Sequence, residues 1–159
     1  MAPPEREFVP GDQFPVNRIE GANYGVAICK DMHFASLGRD FGARDAGVML
    51  VPAWDFDDDA WLAAHMTKLR GVENGYTIVR ASRNGLLSVS DAHGRMLAQT
   101  RSASMPGASL LATVTVGPRV PTIYTRIGDA LGWLCIAGML VLVPLSAMRK
   151  RKGARKGAG

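Results

Sequence analysis

The chain has 159 residues, enough for one domain of ordinary size with a self-supporting core. Its formal net charge is +5, but six of its 19 Lys and Arg residues sit in the final stretch RKRKGARKGAG, which holds no acid. The other 13 basic residues face 14 acidic ones, so nothing basic marks the body as a nucleic-acid binder.

The opening MAPPEREFVPGDQFP carries four prolines and no apolar periodicity, and reads as an extended leading segment. YGVAI (Tyr24–Ile28) is a short apolar strand that ends at Cys29. FASLGRDFGARDAG places Leu37, Phe41 and Arg44 at helical spacing and closes on Gly47, as a helix with a C-terminal glycine does. VMLVPAW is a second buried strand, so strand, helix and strand follow within about 30 residues as in a parallel βαβ unit. The acidic DFDDD is a solvated loop, lacking the glycine and terminal glutamate of a calcium loop. In AWLAAHMTKLRGVENG, Trp61, Leu62, His65, Met66 and Leu69 recur at helical spacing until Gly75 ends the run. YTIVRAS, LLSVSD, RMLAQT and ASLLATVTV are strands, separated by Asn84–Gly85, His93–Gly94 and Pro106–Gly107. The body is therefore α/β, with its second half rich in β.

From Ala130 to Met148 runs ALGWLCIAGMLVLVPLSAM, 19 residues without a charge. At about 1.5 Å per residue this is close to the roughly 30 Å of hydrocarbon that a helix must cross. A buried core helix would carry a polar face, and this run has only Ser146. The cations that follow match the positive-inside bias, which predicts one transmembrane helix with a cytoplasmic basic tail (149–159) and an extracytoplasmic body. Tyr124 and Trp133 suit the outer interface, and the tail suits anionic headgroups. Cys29 and Cys135 then lie in different phases, and Cys29 is a free thiol.

On local pattern Cys29 is either a small apolar filler at a strand end or a nucleophile. The second reading draws on the turn: a strand running into CKD and then a helix is the layout of a nucleophile elbow, whose N–H groups can receive an oxyanion. His33, His65 and His93 show no ligand spacing, and no metal or cofactor is expected. Arg70, Glu73 and Arg80 are expected to form one buried ion-pair network behind the elbow. Trp54 and Trp61 are expected in the aromatic core rather than in an acyl or lipid-facing pocket.

Five segments in order resemble the nitrilase (carbon–nitrogen hydrolase) superfamily, and in particular its membrane branch, the apolipoprotein N-acyltransferases. They are EFVPG (Glu7–Gly11), GVAICKDM, GVMLVPAWD, LRGVENGYTIVRASRNGLLSVSDAHGR and TIYTRIGD. The resemblance implies the C-terminal part of a four-layer αββα sandwich at 1–120, a linker at 121–129 and a transmembrane helix at 130–148. It implies that Cys29 is the nucleophile of a Glu–Lys–Cys set and that the Lys30 backbone N–H helps bind the oxyanion. Glu7 and Asp31 match supporting acids. The family's general-base Glu and its Lys match positions before residue 1, so the chain is expected to be a C-terminal portion of a longer enzyme.

The function so implied is N-acyl transfer through a cysteine thioester at the bacterial inner membrane. The donor would be a phospholipid acyl chain and the acceptor the N-terminal amine of a lipoprotein, with membrane lipids as partners. The alternatives are a membrane-tethered amidase or nitrilase with water as acceptor, and an inactive truncated remnant without the Glu and Lys.

Overall fold

The computed structural model describes residues 11, 13–56, 58–102 and 107–156, with side chains as far as Leu145. Residues 1–125 and 126–159 form two separate units. The first is built on one six-stranded mixed sheet in the order β1-β2-β3-β4-β5-β6. Its strands are β1 (Val16–Ile19), β2 (Ala22–Val26), β3 (Val48–Trp54), β4 (Thr77–Arg83), β5 (Leu86–Ser90) and β6 (Met96–Arg101). The central pairs β2–β3 and β3–β4 are parallel, and the outer pairs are antiparallel.

Two helices make the parallel crossovers, α1 (Ala35–Ala43) after β2 and α2 (Ala60–Asn74) after β3. Successive right-handed crossovers in one direction place both helices on the same face of the sheet. Phe41 from α1 and Met32 from the turn before it are buried with Met49, Val51, Tyr76 and Ile78, and a Cβ on Gly38 of α1 would meet Asn74 and Arg70 of α2 at 3.2 and 3.3 Å, so the two helices lie side by side. Alternate residues of β3 turn the other way, where Leu50 and Trp54 are 37% and 49% exposed. The described residues thus supply one helical layer and one sheet, a mixed α/β arrangement. The second sheet and second helical layer of the expected sandwich are not among them.

Most strands match expectation to within a residue or two, but three elements differ. ASLLATVTV, expected as a strand, has burial that alternates along it yet forms no ladder among the described residues. Alternation reports two unlike faces and does not supply a neighbour to bond. β1, absent from the sequence reading, exists because Gly21 (φ 87°) and Glu20 (φ 48°) fold a tight turn that returns Val16–Ile19 onto β2. The first helix ends at Ala43, and the left-handed residue that follows is Asp45 (φ 58°) rather than Gly47. Gly47 instead meets the Gly117 carbonyl so closely that a Cβ would lie 2.3 Å from it.

Helix α2 ends as expected on Gly75 in the left-handed region (φ 74°), but its inward face is made of small and polar residues. Ala60, Ala63, Ala64, Thr67, Gly71 and Asn74 face inward, while Trp61, Leu62 and Leu69 are exposed. The reason is distance. A Cβ on Gly71 would stand 2.9 Å from Ile78 Cγ1, so the helix lies too close to the sheet for a large side chain between them. Trp61, expected in the core, is accordingly at the surface, and Trp54, also expected there, is exposed on the face of β3 turned away from the helices.

In the second unit, α4 runs Ala130–Lys156 and contains Pro144. Its apolar side chains are exposed along the described length, Leu131, Trp133 and Leu140 among them. Among the described residues no helix is long and apolar enough to cross a membrane. The expected linker at 121–129 contains a short helix, α3 (Ile123–Ile127).

Tyr76 is the largest fully buried side chain, and its hydroxyl donates to the Gly38 carbonyl at 3.4 Å. Burial pushes its ionisation well above that of a free phenol. The folded state therefore keeps its proton while the unfolded chain loses it above about pH 10, and stability must fall as pH rises through that range. Urea unfolding between pH 8 and 11 is expected to show this decline in the native chain and a shallower one in Tyr76→Phe.

Candidate functional site

Strand β2 ends at Val26, and Ala27 extends its pairing by donating to the Leu50 carbonyl at 3.1 Å. The chain then reverses at Cys29, whose φ of 49° lies in the left-handed region. A non-glycine residue there costs about 1–2 kcal/mol, and strain of this kind concentrates at functional turns. A single 3₁₀ turn, Cys29–His33, follows directly and leads into α1. Strand, strained residue and helical turn together form the elbow expected from the sequence.

Two features hold the elbow. Met32 is fully buried in the core and anchors the turn from below. The Asp31 carboxylate reaches back and accepts the Ile28 N–H at 2.8 Å, while the Asp31 N–H donates to the Ile28 carbonyl at 3.0 Å. The helical ladder starts with that second bond, so the Cys29 and Lys30 N–H groups precede it at the positive end of the turn. Cys29 is half-buried, and its Sγ lies 3.6 Å from the Trp54 carbonyl oxygen at the end of β3. Of the expected site residues, Cys29, Lys30 and Asp31 share this one turn. Glu7 lies outside the described residues.

The expected Arg70–Glu73–Arg80 network is instead two separate pairs. Arg70 and Glu73 meet within α2 at 2.5 Å. Arg80 pairs with Asp55, whose oxygens accept from Nη1 at 2.8 Å and from Nη2 at 2.5 Å. Arg80 Nη1 also donates to the Leu86 carbonyl at 3.1 Å. Both side chains are almost wholly excluded from solvent, at 1% and 2% exposure. Asp55, read from sequence as part of a solvated loop, is thus a buried anion one residue past β3. The signal for it was present: an arginine inside the apolar strand YTIVRAS needs a carboxylate if it is buried.

Around this pair the β4–β5 hairpin is tightly built. A Cβ on Gly85 would stand 2.0 Å from Asp55 Oδ2. Ser102 Oγ accepts the Gly85 N–H at 2.9 Å and donates to the Ser82 carbonyl at 2.6 Å. The Arg83 guanidinium lies 4.5 Å from the centroid of the Trp54 ring. Beside them an open cleft of about 650 Å³ is lined by Pro52, Ala81, Ser82, Arg83 and Leu87, with Cys29 outside its lining. Among the described residues no cluster of His, Cys, Asp and Glu could hold a metal ion.

No family model matches the chain. It is 30% identical over 152 residues to the apolipoprotein N-acyltransferase of Geobacter metallireducens, a match covering 91% of this chain and 28% of that protein. It is 29% identical over 147 residues to apolipoprotein N-acyltransferase 1 of Treponema pallidum, covering 87% and 26%. Among solved structures it resembles an amidase from Nesterenkonia sp., with TM-score 0.59 and 25% identity over 82% of this chain and 51% of that one. A mutant of that amidase with acrylamide added at its active-site cysteine aligns with TM-score 0.60 and 25% identity, covering 81% and 52%. The chain spans about a quarter of the length of these acyltransferases and about half that of the amidase.

Removing one member of the Asp55–Arg80 pair leaves the other charge buried without compensation, at a cost of about 3–5 kcal/mol. Urea unfolding of Arg80→Met is expected to show a loss of that size. A loss below about 1 kcal/mol, typical of an exposed pair, would contradict the burial.

Proposed function

Because the chain resembles the C-terminal part of the apolipoprotein N-acyltransferases within the nitrilase superfamily, we propose that it contributes the nucleophile of an acyl-transfer site. The observation that carries this reading is the elbow, where Cys29 sits in left-handed backbone between a parallel strand and a helical turn. Cys29 Sγ attacks the carbonyl carbon of an acyl ester, and the oxyanion is received by the Lys30 N–H. The thioester forms as the ester C–O bond breaks and the alcohol leaves with a proton. An amine then attacks the thioester, the amide forms, and the thiol is restored. The donor is a phospholipid acyl chain and the acceptor a lipoprotein N-terminal amine, as the names of the relatives suggest.

In this role Asp31 shapes the turn and is not the base, since its carboxylate is engaged by the Ile28 N–H. The base, the lysine and Glu7 are assigned by resemblance alone. Residues 1–120 are then part of a carbon–nitrogen hydrolase domain and 121–129 its linker to the membrane. Residues 130–148 cross the bacterial inner membrane, with the body extracytoplasmic and tail 149–159 cytoplasmic. Support for the span is the uncharged 19-residue run, of which Ala130–Leu145 has described side chains.

A second reading takes water as the acceptor, and the structural likeness to an amidase favours it. The two divide on products: small amides would release ammonia under the second and not under the first. With the protein in membranes and a phospholipid bearing a tagged acyl chain, a hydroxylamine-sensitive label is expected on Cys29. Cys29→Ser should reduce that label at least about a thousandfold, as loss of a nucleophile does. Undiminished labelling of this variant would end the proposal.

A further inference from the structure

We propose that the buried Asp55–Arg80 pair is a positioning device for the Cys29 thiol, acting through the peptide that joins Trp54 to Asp55. That peptide carries the Trp54 carbonyl, which lies 3.6 Å from Cys29 Sγ, and the Asp55 N–H, which donates to the Arg83 carbonyl at 2.9 Å. A trans peptide is planar and its C=O and N–H point in opposite directions. Fixing the N–H on β4 therefore aims the carbonyl toward the β2 side, where Cys29 stands.

Side chains on both residues of the peptide restrain it further. The Asp55 carboxylate is gripped by both Nη atoms of Arg80, and the Trp54 ring lies under the Arg83 guanidinium. Behind them the Ser102 hydroxyl ties the hairpin at Ser82 and Gly85, and Gly85 leaves the room that Asp55 Oδ2 occupies. A two-point grip from a buried guanidinium fixes a plane, where a single hydrogen bond would leave it free to rock.

A carbonyl oxygen accepts from S–H and repels S⁻. The contact therefore holds the resting thiol in one orientation. Asp55 and Arg80 touch neither Cys29 Sγ nor any acyl group in this scheme, so they are positioning residues. The consequence for acyl transfer rests on Cys29 being the nucleophile, but the contact itself is tested without turnover.

The test is alkylation of the whole chain by iodoacetamide at pH 7, read separately on the Cys29 and Cys135 peptides by mass spectrometry. Arg80→Lys keeps the charge but loses the two-point grip, Gly85→Ala displaces the Asp55 carboxylate, and Ser102→Ala removes only the hydroxyl behind the hairpin. Each is expected to speed Cys29 alkylation at pH 7 by roughly twofold to fivefold, the equivalent of one weak S–H···O contact. Cys135, which takes no part in this contact, should not respond.

Equal acceleration of Cys29 and Cys135 would mean only that the protein has loosened, and would overturn the proposal. So would unchanged rates in Ser102→Ala and Gly85→Ala. Ser102→Ala leaves both buried charges in place, so it decides the matter if either other variant no longer melts cooperatively. Acyl labelling of Cys29 can fail while this pattern holds, and the pattern can fail while labelling persists.

Discussion

The parallel pairing of β3 with β4 continues to the last residue of β3, and a buried ion pair closes its end. Trp54 stands opposite Arg83, Asp55 follows at once, and Arg80 returns from the middle of β4 to hold it. A carboxylate almost wholly out of water is tolerable only beside its partner. The end of β3 is therefore not free to fray, as strand ends ordinarily do. The elbow depends on this, because the Cys29 thiol meets the protein through the Trp54 carbonyl at that very end.

The same economy of distance governs the helices. With Gly71 and Ala64 facing the sheet, α2 sits close enough to bury Tyr76 and Ile78 completely, and Gly38 and Gly42 bring α1 against the same region. Close approach drives the larger apolar side chains outward. Trp61 and His65 stack on each other at 4.0 Å on the outer side of α2 rather than entering the core. An interior of small residues leaves little slack, so displacement of α1 would be felt at Phe41 and Met32, and through Met32 at the elbow.

Much of this was legible in the sequence, and the parts that were not share a cause. β3, β4, β5 and β6 follow from apolar runs between turn residues, and α2 ends where Gly75 says it should. The elbow at Cys29 was legible because strand, charged turn and helix follow one another without a gap. What failed was the core position expected for Trp54 and Trp61 and the solvated loop expected at Asp55, while Val48, Met49 and Val51 of VMLVPAW and Arg80 are buried as expected. Periodicity identified the stripe from Trp61 to Leu69 correctly as helical, but the core position expected for Trp61 fails, because apolarity does not report how closely a helix approaches its sheet. Asp55 was hidden by its neighbours: three further acids make DFDDD look solvated, and only the arginine in β4 distinguishes the first from the rest. ASLLATVTV shows the limit from the other side, since alternation without a partner is not a strand.

The elbow also constrains what chemistry the turn can perform. Left-handed backbone at Cys29 is costly, and neither apolar filling nor hydrogen bonding requires it: a buried cysteine packs equally well in a regular strand. The conformation sets Cys29 at the head of the following turn, with its Sγ 3.6 Å from the Trp54 carbonyl oxygen. Asp31 could have been read as the group that activates the thiol, but its carboxylate is spent on the Ile28 N–H and so stabilises the turn itself. The strain at Cys29 and the Asp31 cap thus belong to one turn, which holds Cys29 and the N–H groups of Cys29 and Lys30 in fixed relation.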